Sequence, residues 1–307
     1  MSGTHKCPSI SIATPLPRVE PRVRDKCVQY LDLEFGNAGS RTHAFGTDAQ
    51  KAVNRAREQV AAVVDAAPEE VIFTSGATES NNLAILGLAA FGEKSNRRHI
   101  VATAIEHKAV LEPIEQLTER GFEVTLVPPH HDGWVEPQQL FDAVRDDTLL
   151  VSVMHVNNET GVVQPLGEIA ELLSDHPAYL HTDAAQGFGK DTEPLQNTRL
   201  DLISLSGHKI YGPKGVGGLI ARRRKHKRPP LAPLVFGGGQ ERGLRPGTQP
   251  VHLIVGLGEA TEIAKRENAE RTRQCELYKS QLLNGLADLA PTIHGCPERT
   301  LASVVNC

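Results

Sequence analysis

The chain of 307 residues carries 33 lysines and arginines against 37 aspartates and glutamates, a formal net charge of −4, with 39% hydrophobic and 23% charged residues. These values are ordinary for a globular protein with a sizeable core, and they leave no overall basic field for nucleic acid or an acidic membrane surface. No apolar run is long enough to cross a membrane, and "MSGTHKCPSISIATPLPRVEPRVRDK" lacks a compact apolar core followed by a small-residue cleavage site, so secretion is not expected. The five cysteines (Cys7, Cys27, Cys275, Cys296 and Cys307) are scattered without a C-x-x-C pair. That speaks against a zinc knuckle or a disulfide scaffold and suits a reducing compartment, the cytoplasm first and the mitochondrial matrix second.

Short β-branched runs alternate with stretches of helical period. In chain order, strands are expected at "VIFT" from 71, "HIVATA" from 99, "EVTLV" from 123, "LLVSVMHV" from 149, "AYLHT" from 178, "DLISL" from 201 and "GGLIA" from 217. Between them "ESNNLAILGLAAFG", "KAVLEPIEQLTERG" and "LGEIAELLSDH" place apolar residues at helical spacing. Such alternation predicts an α/β fold, a mainly parallel seven-stranded sheet with helices on both faces. Only a glycine-rich loop separates the last two runs, so one strand there is expected to be antiparallel. From about Val251 to Leu289 the helical period outlasts an ordinary globular helix, as where a chain leaves one domain for another.

In sheets of this kind ligands bind beyond the carboxyl ends of the strands, and the unusual residues of this chain lie there. After the strand at 71, "FTSGATESNN" turns at Gly76 and opens a helix with Ala77 and Thr78. Free amides at such a start form an anion site, to which the Thr78 hydroxyl adds a donor; the plain reading is an ordinary helix cap. "IEHKAV" offers His107, which could stack on a flat ring or move a proton, though a lone loop histidine is more often neither. "HTDAAQ" sets Asp183 at the end of an apolar strand, with Gln186 three residues on. A carboxylate there is costly to bury unless something positive meets it, such as a protonated heteroaromatic nitrogen; otherwise it caps the following helix.

"SLSGHKIYGPKGVGG", 204–218, then holds Lys209 in a loop dense with glycine. It is not a phosphate-binding Walker loop, because the glycine–lysine–serine/threonine spacing is missing. Burial and neighbouring positive charge lower an amine's pKa, and a neutral amine condenses with an aldehyde. A Schiff-base lysine, an aspartate for a pyridinium nitrogen and a phosphate cradle are the parts that pyridoxal 5'-phosphate requires.

With "EHKAVL", "VSVMHVNNETGVVQP" and "GGGQERGLRPGT" added, the chain from about Pro21 to Cys307 resembles the cysteine desulfurases, members of the class V aminotransferases among the fold-type I pyridoxal-phosphate enzymes. The resemblance implies a large cofactor-binding domain over 21–258, an N-terminal segment over 1–20 and the start of an incomplete small domain over 259–307. It implies that Lys209 carries the cofactor as a Schiff base, that His107 stacks on the ring and assists proton transfer, and that Asp183 holds the pyridinium nitrogen. Gln186 would bond the ring hydroxyl, and Asn158 would lie beside the ring oxygen and the substrate carboxylate. Ala77, Thr78, Ser206 and His208 would bind the phosphate, joined by Thr248 from a neighbouring subunit, which implies a homodimer with shared sites. The implied reaction converts L-cysteine to L-alanine and passes sulfur to an enzyme thiol, for a sulfur-acceptor or cluster-scaffold partner in iron–sulfur cluster assembly or thiolation.

Two departures accompany the resemblance. The family's usual opening strand and turn, of the type "YLDNAATTP", is replaced by "SISIATPLPRVEPRV", and no "SSGSAC"-like loop holds a sulfur-accepting cysteine. The expectation is therefore of a truncated chain with the first half of the chemistry and no thiol for the second. A non-catalytic cofactor-binding partner of a full-length enzyme, or a selenocysteine lyase or related aminotransferase, are the other readings. "RRRKHKR", 222–228, is expected to be a solvated loop rather than a nucleic-acid footprint, and "PHHDG", 129–133, a turn whose adjacent histidines do not readily share a metal.

Overall fold

The computed structural model describes residues 11–12, 18–40 and 44–307. Its strands are β1 (Ser11–Ile12), β2 (Val71–Thr74), β3 (His99–Thr103), β4 (Glu123–Val127), β5 (Thr148–Ser152), β6 (Tyr179–Asp183), β7 (Leu202–Ser206), β8 (Gly217–Ala221) and β9 (Val305–Asn306). Its helices are α1 (Pro21–Asp32), α2 (Ala44–Ala61), α3 (Ala77–Leu86), α4 (Ala89–Ser95), α5 (Lys108–Thr118), α6 (Pro137–Asp142), α7 (Leu166–Leu172) and α8 (Val251–Gly285). All seven expected runs join one sheet, in the order β2-β8-β7-β6-β5-β3-β4. β8 is the antiparallel member, paired antiparallel with both β2 and β7, while the other pairings are parallel.

Strands β2, β3, β5, β7 and β8 are buried at every residue. Such unbroken apolar runs are what a sheet covered on both faces demands. Successive side chains divide between two cores. Val101, Val151, Ile203 and Ile220 pack with α2, α7 and the first half of α8, whereas Ile100, Leu150, Leu202 and Leu219 pack with α3 and α5. The edge strand β4 is partly exposed.

The buried side chains of α8 stop at Ala264, so its second half projects from the sheet domain. The boundary expected between 258 and 259 thus falls inside one unbroken helix. β1 pairs antiparallel with β9, placing part of the expected N-terminal segment against the last residues of the chain. Most of "SISIATPLP", and Cys7, lie outside the described residues.

Candidate active site

Parallel strands end on the same side, so the loops after β2, β3, β5, β6 and β7 meet there. Together they enclose a cavity of about 570 Å³. Ala77, Thr78, His107, Asn158, Asp183, Gln186, Ser206, His208 and Lys209 all line it. Thr248 does not; it is exposed, beyond the cavity of its own chain.

The β2–α3 turn depends on backbone geometry. Gly76 sits at φ 154°, a conformation that a residue with a Cβ rarely adopts. A Cβ on Gly217 would lie 2.6 Å from the Gly76 Cα, so bare backbone is also needed where β8 passes the turn. Gly76 caps α3 without a side-chain bond, and the first helical amides have no carbonyl to receive them. Glu79 folds back to accept the Ser75 N–H at 2.7 Å and is met by Arg245 Nε at 2.9 Å. Burial acts to raise the Glu79 pKa, but these two hydrogen bonds hold it below the usual carboxylate range.

Asp183 ends β6 with 6% of its surface exposed. Its Oδ2 accepts the Asn81 amide at 2.7 Å and its Oδ1 accepts the Ala185 N–H at 2.9 Å. Burial pushes this carboxyl up, and the two donors together with the charges of His107 and Lys209 act against it. A group carrying positive charge in the cavity would complete the balance.

His107 closes the loop after β3 as the N-cap of α5, its Nδ1 accepting the Ala109 N–H at 3.1 Å. With Nδ1 accepting, Nε2 is the ring nitrogen left to donate. Lys209 lies in a short 3-10 turn, Gly207–Ile210, directly after β7. In the same turn His208 Nδ1 pairs with Ser206 Oγ at 2.8 Å. Burial and then the charges of Lys209, Lys214 and Lys190 push the His208 pKa down.

Three residues near the site were not singled out from the sequence. Asn81 carried a signal, since it follows Ala77 by four residues and so shares that helix face. Lys214, inside the glycine-rich loop, also lines the cavity. Glu106 is buried, its Oε1 accepting the Thr103 hydroxyl at 2.7 Å and the Met154 N–H at 2.6 Å, with Oε2 unpartnered. Burial, aided by the nearby Asp183, pushes its carboxyl up to about 8.

The expected solvated loop at 222–228 is corrected in part. Arg222 is 5% exposed and donates to the carbonyls of Val64, Asp65 and Leu195, while Arg224 pairs with Asp201. Carbonyls left over beyond the end of α2 require donors, and the start of this basic run supplies them. At 130–132 the ligating atoms of His130, His131 and Asp132 all lie within 4.8 Å of one another, closer than adjacent histidines led us to expect. The cluster is on an exposed turn and its members hydrogen-bond to each other. Among the described residues no helix is long and apolar enough to cross a membrane.

The donor set of the cavity fits pyridoxal 5'-phosphate: open helix-start amides and hydroxyls for an anion, a buried carboxylate for a cationic ring nitrogen, and a primary amine for an aldehyde. Comparison with known proteins gives the same direction. The aminotransferase class-V family profile matches residues 14–307. Cysteine desulfurase IscS of Vibrio cholerae serotype O1 is 50% identical over 280 residues, covering 90% of this chain and 69% of that protein. Cysteine desulfurase IscS of Photobacterium profundum is 47% identical over 291 residues, 94% of this chain and 71% of that protein. Among solved structures, DndA from Streptomyces lividans matches with a TM-score of 0.90 at 51% identity, covering 96% of this chain and 83% of that one. SspA in complex with cysteine matches with a TM-score of 0.74 at 43% identity, covering 80% and 70%.

Proposed function

The chain belongs to the class-V aminotransferase family and, within it, to the cysteine desulfurases, which are pyridoxal-phosphate enzymes; from that membership we propose that it binds L-cysteine at the cavity holding Lys209 and prepares the substrate's sulfur for transfer to a thiol. The observation that carries this reading is the convergence of Lys209, Asp183, His107 and the α3 start on one cavity.

When bound, pyridoxal phosphate supplies an electron sink for the bonds at the substrate α-carbon. Ala77, Thr78, Ser206 and His208 bind its phosphate, Asp183 keeps its ring nitrogen protonated, and Gln186 bonds the ring hydroxyl. Asn81 holds the Asp183 carboxylate in place. Lys209 tethers the group and moves the proton at the substrate α-carbon. His107, its ring fixed by the α5 cap, covers the ring and assists that transfer, and Asn158 orients the substrate carboxylate. In the sulfur step a thiolate would attack the substrate sulfur and the C–S bond would break with its electron pair left on the β-carbon; the β-carbon takes up the proton the thiol gave up, the α-proton returns to the α-carbon, and the products are alanine and a persulfide.

Thr248 is exposed and does not line its own chain's cavity, and Phe236, on the same segment, is 88% exposed. We take the segment to cover a second copy of the chain, so that the working unit is a homodimer with shared phosphate sites. The persulfide then passes to an acceptor or cluster-scaffold protein in the cytoplasm. A second reading, a cofactor-binding partner without turnover, is favoured by one observation: none of Cys27, Cys275, Cys296 and Cys307 lines the cavity. Alanine release from L-cysteine separates the two, and its complete absence under saturating cofactor and added thiol would overturn the first.

A further inference from the structure

β2 is an edge strand: β8 pairs with one side and, among the described residues, no strand with the other. The open side would leave the Val71 carbonyl and the Phe73 amide bare, which a buried edge does not tolerate. Glu241 and two arginines close it. Glu241 Oε2 accepts the Phe73 N–H at 2.9 Å and Arg57 Nη1 at 2.8 Å, and its Oε1 accepts Arg57 Nη2 at 2.7 Å. Arg57 and Arg242 donate to the Val71 carbonyl at 2.6 and 3.0 Å. The Arg57–Glu241 side chains are only 10% and 2% exposed. Glu241 and Arg242 both sit at positive φ, 43° and 60°, a conformation disfavoured for residues with a Cβ and kept only where surroundings impose it.

Both neighbours of Thr248 are held, Gln249 by Glu241 itself and Gly247 by the adjoining Gln240. The Gly247 N–H donates to Gln240 Oε1 at 3.1 Å, and Gln249 Nε2 donates to Glu241 Oε1. Thr248 itself is exposed, and among the described residues its hydroxyl has no hydrogen-bond partner. Without the clamp, a segment opening on Gly237, Gly238 and Gly239 would have to be ordered at the moment of binding, residue by residue.

We propose that Glu241, held by Arg57, is the positioning residue for Thr248, fixing it to the edge of β2 so that it is ready for the phosphate bound in the second copy's cavity. This rests on the shared-site reading above. The clamp charges the ordering cost to folding instead of to cofactor binding.

The test uses differently tagged chains co-expressed and purified as mixed dimers, in which one chain carries Lys209→Ala. Only the other chain's site can then be trapped by borohydride, and its cofactor affinity is read as trapped cofactor against concentration. With Glu241→Gln placed on the Lys209→Ala chain, the trappable site should bind cofactor about tenfold more weakly, the usual order for one lost buried hydrogen-bond partner. With Glu241→Gln on the trappable chain, affinity should stay at the level of the unsubstituted pair. Thr248→Ala in the same two arrangements is the control. If Thr248→Ala acts in neither arrangement or only in its own chain, the shared-site reading fails. If it acts across the dimer but Glu241→Gln weakens its own site, or neither site, the positioning role alone is overturned. Arg57→Lys, which keeps the charge and loses the two-pronged contact, is run in parallel and must show the same cross-dimer effect, so a Glu241→Gln chain that fails to fold leaves the test standing.

Discussion

Asn81 donates its side-chain amide to Asp183 Oδ2 at 2.7 Å, tying α3 to the end of β6 through a buried carboxylate. The bond joins the helix whose start forms the anion cradle to the residue proposed to hold the ring nitrogen. Burial pushes Asp183 up, so each donor matters to keeping it ionised. Asn81→Ala should weaken cofactor binding about tenfold, the cost of one missing donor to a buried acceptor. Asp183→Asn should cost more than a hundredfold, because a buried positive nitrogen left without its counter-charge loses about 3–5 kcal/mol. Absorbance titration of each variant with cofactor measures both, and equal effects would contradict these assignments.

Lys209 should be the single covalent attachment point. Borohydride reduction of the yellow protein followed by peptide mapping should place the pyridoxyl group there. Lys209→Ala should remain colourless after reduction and washing, although Lys214 lines the same cavity. Labelling of Lys214 in the unsubstituted chain would reverse the assignment.

Glu106 and His181 set opposite pH dependences on the stability of the cofactor-free chain. Glu106 is raised from 4.5 to about 8 in the fold, so its contribution is complete below 4.5 and is lost as pH climbs to 8. His181, held neutral between Ser152 and Ser204, is lowered from 6.5 to about 3 by burial, so its contribution is complete above 6.5 and is lost as pH falls to 3. Between 4.5 and 6.5 the two slopes cancel. From pH 6.5 to 8 only the Glu106 slope of these two remains, at about 1.4 kcal/mol per pH unit, or about 2 kcal/mol in all. Urea denaturation across that interval should show the decline, and Glu106→Gln should lessen it.

L-cysteine should perturb the cofactor absorbance of the 307-residue chain, while alanine release stays slow. None of the described cysteines lines the cavity; Cys275 opens instead on a second cleft of about 760 Å³. An attacking sulfur misplaced by an ångström costs on the order of a hundredfold in rate. Replacing Cys27, Cys275, Cys296 or Cys307 by serine should leave the slow rate unchanged, whereas a small soluble thiol should raise it. Loss of turnover in any one of the four variants would identify an internal acceptor.

Order along the chain was enough to reveal the seven strands and to show that Ala77, His107, Asp183 and Lys209 each lie at or just beyond the end of one of them. Buried strands are written as unbroken apolar runs, and a parallel sheet gathers its strand ends on one side, so local pattern leads directly to the cavity. The same pattern carried no trace of Glu241 meeting Arg57, 184 positions away, nor of the insertion of β8 between β2 and β7. Arg222 likewise lies in what the sequence presents as a hydrophilic run, yet it is buried because carbonyls beyond α2 and from Leu195 converge on it. Periodicity reports which way a side chain faces along its own element. Which distant group it meets depends on how the elements pack, and burial then decides whether the meeting leaves a charge ionised, as burial of Glu106 and His181 within the fold shows.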